Sequence, residues 1–171
     1  MGFLLTIITF IPLVGALLIL LIPKDKERVI KYLSIGVSII PLALATWLWF
    51  AYDKAAGGIQ FEYLVKWIPA IDVNFHVGAD GLSIPLIFLT ALLTVLSMIY
   101  SSFTVTKRVK EFFLLFFLLE MGMLGVFVSL DLVLFYVFWE IGLVPMYLLI
   151  GIWGRPDDRP QYSAIKFFLY T

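Results

Sequence analysis

FYVFWEIGLVPMYLLIGIWG, residues 135–154, is the stretch on which the fold turns. It belongs to an apolar run from Leu132 to Trp153 in which a single carboxylate, Glu140, is set. About 20 apolar residues in a row is the length of a helix that crosses the hydrocarbon core of a bilayer. A carboxylate at the centre of such a helix costs roughly 2.5 kcal/mol or more, so it persists where it has a partner, water or a task. Glu120 stands in the preceding apolar run and poses the same problem. These two acids are the first candidates for function.

The rest of the chain reads the same way. Of its 171 residues 63% are hydrophobic, against about 45–50% in soluble domains. Mean hydropathy is +1.06. Formal net charge is zero, and the charges collect in short breaks between apolar runs. This describes an integral membrane protein with no basic face for nucleic acid. No Cys and a single His remove the ligands of an iron–sulfur cluster, a disulfide or a zinc site. No metal and no cofactor are therefore expected in this chain, and any redox centre belongs to a partner. The first run, 3–22, has no basic leader, since the first lysine is Lys24, and no small-residue cleavage site follows it. It is read as a retained helix rather than a signal peptide.

Apolar runs mark five complete spans, near 3–22, 29–52, 81–101, 111–130 and 132–153, and the start of a sixth at 162–171, in one membrane domain over 1–171. Pro23 closes the first, and Pro41 is expected to kink the second. Residues 53–80 are the one long loop. Phe61, Tyr63, Val65 and Trp67 alternate with Glu62, Leu64 and Lys66, then Ile71, Val73, Phe75 and Val77 alternate with Asp72, Asn74 and His76. Two alternating runs about Pro69 predict a β-hairpin at about 60–78, and its Trp and Tyr place it at the membrane interface. His76 is read as a surface residue of that hairpin. Lys24, Lys26, Arg28, Lys31, Lys107, Arg108, Lys110, Arg155 and Arg159 fall on one side of the membrane, and only Lys54 and Lys66 on the other. The positive-inside rule then puts loops 23–28, 102–110 and 154–161 in the cytoplasm, with the N-terminus and the hairpin outside.

Ser129–Leu130–Asp131 turns the fourth run back into the fifth. Glu120 lies eleven residues before Asp131 and Glu140 nine after, so at 1.5 Å per residue both sit roughly 14–16 Å below the turn, on antiparallel neighbours. Neighbouring carboxyls in a medium of low dielectric cannot both ionise freely, which suits groups that take up and release protons. Pro145 cannot donate to the carbonyl of Ile141 and is expected to loosen the helix just past Glu140. Lys166 falls one turn into the sixth run, where it either snorkels to the interface or serves the proton path as a cation paired with an acid. Asp131 is either a helix N-cap or a proton-exit group. Asp80 is expected to cap the third helix. The Arg155–Pro160 stretch reads as a solvated turn, and Trp139 as packing.

Three motifs carry a resemblance. FWEIGLVPMYLLIGIWG (138–154), followed by an Arg/Asp loop and KFFLYT (166–171), VGADGLSIPL (77–86), and EFFLLFFLLEMGMLGVFVSLDLVLFYVFWE (111–140) closely resemble the N-terminal part of the antiporter-like M subunit family of NADH–quinone oxidoreductase, respiratory complex I. The likeness runs from about residue 1 to 171. It implies an all-α membrane fold of about fourteen helices containing inverted five-helix repeats, in a translocase of the cell's inner or plasma membrane that pumps protons driven by distant electron transfer. In that pattern Glu140 matches the key carboxylate of the fifth helix, Glu120 that of the fourth, and Lys166 a lysine opening the sixth. The family's lysines on helices seven and eight and its acid on helix twelve have no counterpart in these 171 residues. The expectation is therefore the N-terminal portion of a longer product, a chain completed by a separate one, or a non-conducting stub. The partners implied are other membrane-arm subunits, including whatever supplies the remaining helices, and the lipid bilayer, but no nucleic acid. NADH or ferredoxin, flavin, Fe–S clusters and quinone are implied in partner subunits. Related alternatives are a multisubunit sodium/proton antiporter, a membrane-bound hydrogenase, and ferredoxin-, sulfur- or deazaflavin-linked complexes.

Overall fold

Helices α1 (Phe3–Leu21) and α2 (Glu27–Ala51), a hairpin of β1 (Gln60–Ile68) and β2 (Val73–Ala79), then helices α3 (Ser83–Thr104), α4 (Val109–Val128), α5 (Leu132–Trp153) and α6 (Pro160–Tyr170) follow one another along the chain. The structure is a computed structural model and describes residues 2–155 and 159–171. Residues 156–158, the centre of the expected solvated turn, lie outside the described residues. Helices α1 to α5 are each long and apolar enough to cross a membrane. Their 19 to 25 residues rise roughly 28–38 Å, against a hydrocarbon core of about 30 Å. This is a multi-pass membrane protein.

Side chains define the helix starts. Asp80 Oδ1 accepts from the amides of Leu82 at 3.1 Å and Ser83 at 2.7 Å, closing the entry to α3 as expected. Those bonds, the Ser83 amide foremost, hold the Asp80 carboxyl below the usual carboxylate range. Beyond its apolar stretch α3 continues to Thr104, with Ser102 bonding back to the Ile99 carbonyl at 2.7 Å and Thr104 to that of Tyr100 at 3.1 Å. Deeper hydroxyls do the same: Thr9 bonds to Leu5, Ser34 to Ile30 and Thr90 to Leu86, at 2.7 to 2.9 Å. At bilayer depth these hydroxyls have no water to turn to, and their own helices satisfy them.

Helix α4 is central, touching α1, α2, α3, α5 and β2. Its closest approach is to α5. A Cβ on Gly122 would lie 2.7 Å from the backbone nitrogen of Gly142, and one on Gly125 would lie 2.2 Å from the Phe138 ring. Small residues let two membrane helices come together in this way, by van der Waals packing of backbone on backbone. Two buried apolar clusters result. One, toward the hairpin, includes Leu5, Ile8, Leu48, Ile87, Leu124 and Phe138. The other, at the opposite end, includes Ile19, Ile30, Met98, Phe113 and Phe117.

The hairpin forms as the alternation predicts, antiparallel, with Tyr63 opposite Val77 and Val65 opposite Phe75. The register slips twice, between Gln60 and Tyr63 and between Lys66 and Ile68. Phe61 takes a left-handed φ of 58° at the first slip, a conformation uncommon for a non-glycine residue and typical of a bulge. Strict alternation along β1 holds only from Tyr63 to Lys66, between the two slips; Val65, Lys66 and Trp67 all line one cavity. The hairpin is docked on the turn between α4 and α5. Val77 bridges to Ser129, the Leu130 amide donates to the His76 carbonyl at 2.9 Å, and the Asn74 amide donates to Asp131 Oδ2 at 3.2 Å.

Candidate functional site

Each acid stands eight residues from the turn between α4 and α5, Glu120 before the end of α4 at Val128 and Glu140 after the start of α5 at Leu132. That places both about 12 Å below the turn, at matching depth. Their directions differ. Helix α5 meets α4 through Phe138 and Gly142, which are two residues either side of Glu140. At roughly 100° per residue, two positions before and two after both point away from Glu140. Glu140 therefore occupies the face of α5 turned from α4, partly exposed. The Tyr136 hydroxyl, one turn earlier on that face, interacts with its carboxylate. Tyr136 and Val144, on the same side, are 60% and 53% exposed.

Glu120 shows the same geometry in reverse. Helix α4 meets α5 through Gly122 and Gly125, two and five residues on, so Glu120 points away from α5. It shares a stripe with Phe113, Phe117 and Leu124, all fully buried. Phe117 lies against Gly15 of α1. Glu120 is 0% exposed, and neither carboxyl oxygen has a hydrogen-bond partner among the described residues. The two acids thus sit at one depth, back to back across the α4–α5 contact.

Lys166 joins neither of them. Helix α6 packs on α5 where Gly151 meets Ala164 and Tyr147 meets Phe168. Ala164 and Phe168 flank Lys166 by two residues, so its side chain is on the far face of α6. It is exposed, with Nζ 4.6 Å from the centre of the Tyr162 ring. Pro145 is buried within α5, which runs through it as one continuous helix from Leu132 to Trp153. Asp131 caps α5: Oδ1 accepts from Val133 at 2.8 Å and Leu134 at 3.1 Å. Those amides, that of Leu134 foremost, and the Asn74 amide hold its carboxyl below the usual carboxylate range. His76 is not solitary, since its Nε2 meets Glu62 Oε1 at 2.5 Å. Sequence reasoning missed that pair because it depends on the strand register: His76 pairs with Leu64, which sets Glu62 on the neighbouring diagonal. Trp139 packs on Phe135, with ring centres 5.9 Å apart.

The chain is similar to known proteins over nearly its whole length. A family described as "NADH:quinone oxidoreductase/Mrp antiporter, TM" matches residues 129–171. NAD(P)H-quinone oxidoreductase chain 4 of Nostoc sp. is 42% identical over 168 residues, 98% of this chain and 31% of that protein. NADH-ubiquinone oxidoreductase chain 4 of Marchantia polymorpha is 37% identical over 161 residues, 94% of this chain and 32% of that protein. A chain of respiratory complex I from Thermus thermophilus superposes with a TM-score of 0.78 at 27% identity, covering 97% of this chain and 33% of that one. This chain spans about a third of the length of each.

Proposed function

We propose a function from one premise: this chain belongs to the antiporter-like family of membrane subunits that includes NADH–quinone oxidoreductase chain 4, or subunit M, and corresponds to its N-terminal part. It is a proton-translocating element of the membrane arm of a redox-driven pump, with Glu120 and Glu140 as proton-path carboxylates. The observation that carries this reading is Glu120, wholly buried in a membrane-crossing helix with both oxygens unpartnered among the described residues. Packing alone is better served there by a leucine. A group that changes its proton is the use for which an unpartnered buried acid is suited.

The back-to-back placement adds a mechanism. No direct hydrogen bond joins the two acids, so a proton moves between them by way of water or of groups brought in by further helices. Glu140 presents its carboxylate on an open face of α5 where such helices pack, and Lys166 presents an ammonium on the far face of α6. Both supply charge to groups outside this chain. The partners are other membrane-arm subunits, and the flavin, iron–sulfur clusters and quinone belong to partner subunits at a distance from this chain. The N-terminus and hairpin face outward, as the lysine and arginine distribution favours.

The test is Glu120→Gln and Glu140→Gln in the assembled complex, following electron transfer and proton uptake into inverted membrane vesicles. Loss of uptake with the complex intact supports the proposal for each residue. Undiminished uptake in both variants leaves the chain a scaffold. A second reading, a subunit of a sodium/proton antiporter, is favoured by the family's shared description with Mrp antiporters. Proton uptake driven by a sodium gradient without electron transfer identifies it.

A further inference from the structure

Beneath the hairpin lies a cavity of about 540 Å³ that the proton-path reading does not use. Its roof is Tyr63, Val65, Lys66, Trp67 and Phe75 of the hairpin. Its walls are Thr6 and Phe10 of α1, Met121 of α4, and Leu134, Val137, Phe138 and Ile141 of α5. Three features, taken in order of depth, run from charged to apolar. At the interface Lys66 is exposed beside Trp67, itself 48% exposed. One turn into α1, the Thr6 hydroxyl is buried and has no hydrogen-bond partner. Thr9, in the next turn of the same helix, does have one. Below Thr6 the walls are apolar down to Ile141, nine residues or about 14 Å into α5.

We infer that this cavity is a phospholipid site, in which Lys66 meets the phosphate, Thr6 donates to a glycerol-ester oxygen, and one acyl chain lies between α1 and α5. A cation, a hydroxyl and an apolar slot, stacked along the membrane normal at the level of an interfacial Trp, are the chemical sequence of a phospholipid from headgroup to chain. A helix from a partner protein would have to bring one acceptor to Lys66 and another to Thr6 at these two depths, whereas a phospholipid carries both. An orphaned buried hydroxyl costs about 1–3 kcal/mol, which an ester oxygen relieves. Lys66 pairs regularly with Asn74, and the second slip of β1 leaves Trp67 beside it as the residue without a cross-strand partner; both line the cavity.

The experiment reads the fluorescence of Trp67, isolated as the difference between the protein and its Trp67→Phe variant. The complex is reconstituted into phosphatidylcholine vesicles that contain a chain-brominated guest, either phosphatidylglycerol or diacylglycerol, at equal mole fraction. The expected result is stronger quenching of Trp67 by the brominated phospholipid than by the diacylglycerol. Lys66→Glu removes that difference, and Val137→Phe, which narrows the slot, lowers quenching by both guests. Equal quenching by the two guests, or a difference that survives Lys66→Glu, overturns the phosphate contact and with it the site. Failure of either guest to quench Trp67, while the exposed Trp47 and Trp139 remain quenched, shows protein in the cavity and overturns it too. Proton transport is not measured, so the outcome is independent of the proposed function.

Discussion

Three backbone amides, from Asn74, Val133 and Leu134, are aimed at the Asp131 carboxylate, whereas nothing among the described residues is aimed at that of Glu120. Asp131 is an anion by design of its surroundings. Its folded pKa is below the unfolded value, so its contribution to stability is complete above the ordinary carboxylate range, about 3.9, and is lost as pH falls through the lowered value. Hydrogen-exchange protection of the Asn74 amide is therefore expected to stay flat from neutral pH to about 5 and to fall only in stronger acid. Asp131→Asn abolishes that acid loss, and Asp131→Ala lowers stability by about 1 kcal/mol at neutral pH, as removal of an N-cap does. Glu120 is expected to behave in the opposite sense. Replacing an unsatisfied buried carboxyl by an apolar side chain of similar size removes its desolvation penalty. Glu120→Leu should raise stability by about 1–3 kcal/mol, read as a higher thermal midpoint in detergent, while proton uptake by the assembled complex falls. A drop in the midpoint means that the carboxyl has a structural partner.

Between elements, the α4–α5 contact is asymmetric in a way that mutation can read. A methyl on Gly122 runs into the backbone of Gly142, whereas a methyl on Gly142 meets nothing nearer than 3.9 Å. Gly122→Ala is therefore expected to cost about 1–3 kcal/mol, the usual penalty for overpacking, and Gly142→Ala to be near neutral. Unfolding midpoints of the two variants measure the difference, and equal effects argue that the helices slide freely. The hairpin's grip on the same pair of helices is accessible too, because the chain contains no cysteine. Paired antiparallel residues have Cα atoms about 4.5–5.5 Å apart, within the range a disulfide spans. Val77→Cys with Ser129→Cys should cross-link under mild oxidation, seen as a mobility shift, and Asp131→Ala should slow the reaction. Absence of a cross-link places the hairpin off the turn.

For the whole molecule, the arrangement is a bundle of α1 to α4 with α5 and α6 added along one side. Only α5 and α6 present Glu140 and Lys166 outward, and they do so on faces that this chain leaves uncovered. That fits a chain spanning about a third of its relatives' length. It also makes orientation a property worth measuring directly. Single cysteines at Gly57 and Thr106, probed with a membrane-impermeant thiol reagent on intact cells, should react only at position 57. Reaction only at position 106 inverts the topology.

The membrane class, the five spans and the opening of a sixth, the hairpin, and the two acids at equal depth were all legible in the residues. Each depends on local quantities: apolar run length, period-two alternation, and rise per residue counted from one turn. The cap at Asp80 was legible for the same reason, since a cap acts within three residues, while Asp131 was left between a cap and a proton-exit group and the structure shows the cap. The directions of Glu120, Glu140 and Lys166 were not. They depend on which face of each helix meets its neighbour, and in an apolar bilayer a hydrophobic stripe does not mark that face. Here it is marked by Gly122, Gly125 and Gly142, whose contacts exist only once α4 and α5 are packed. The Glu62–His76 pair depends likewise on the register that sets His76 opposite Leu64, and the cavity beneath the hairpin on how the hairpin docks over α1 and α5; alternation alone fixes neither. Tertiary packing alone set the two acids back to back, because the closest backbone approach claims one side of each helix and leaves the charged side chain the other.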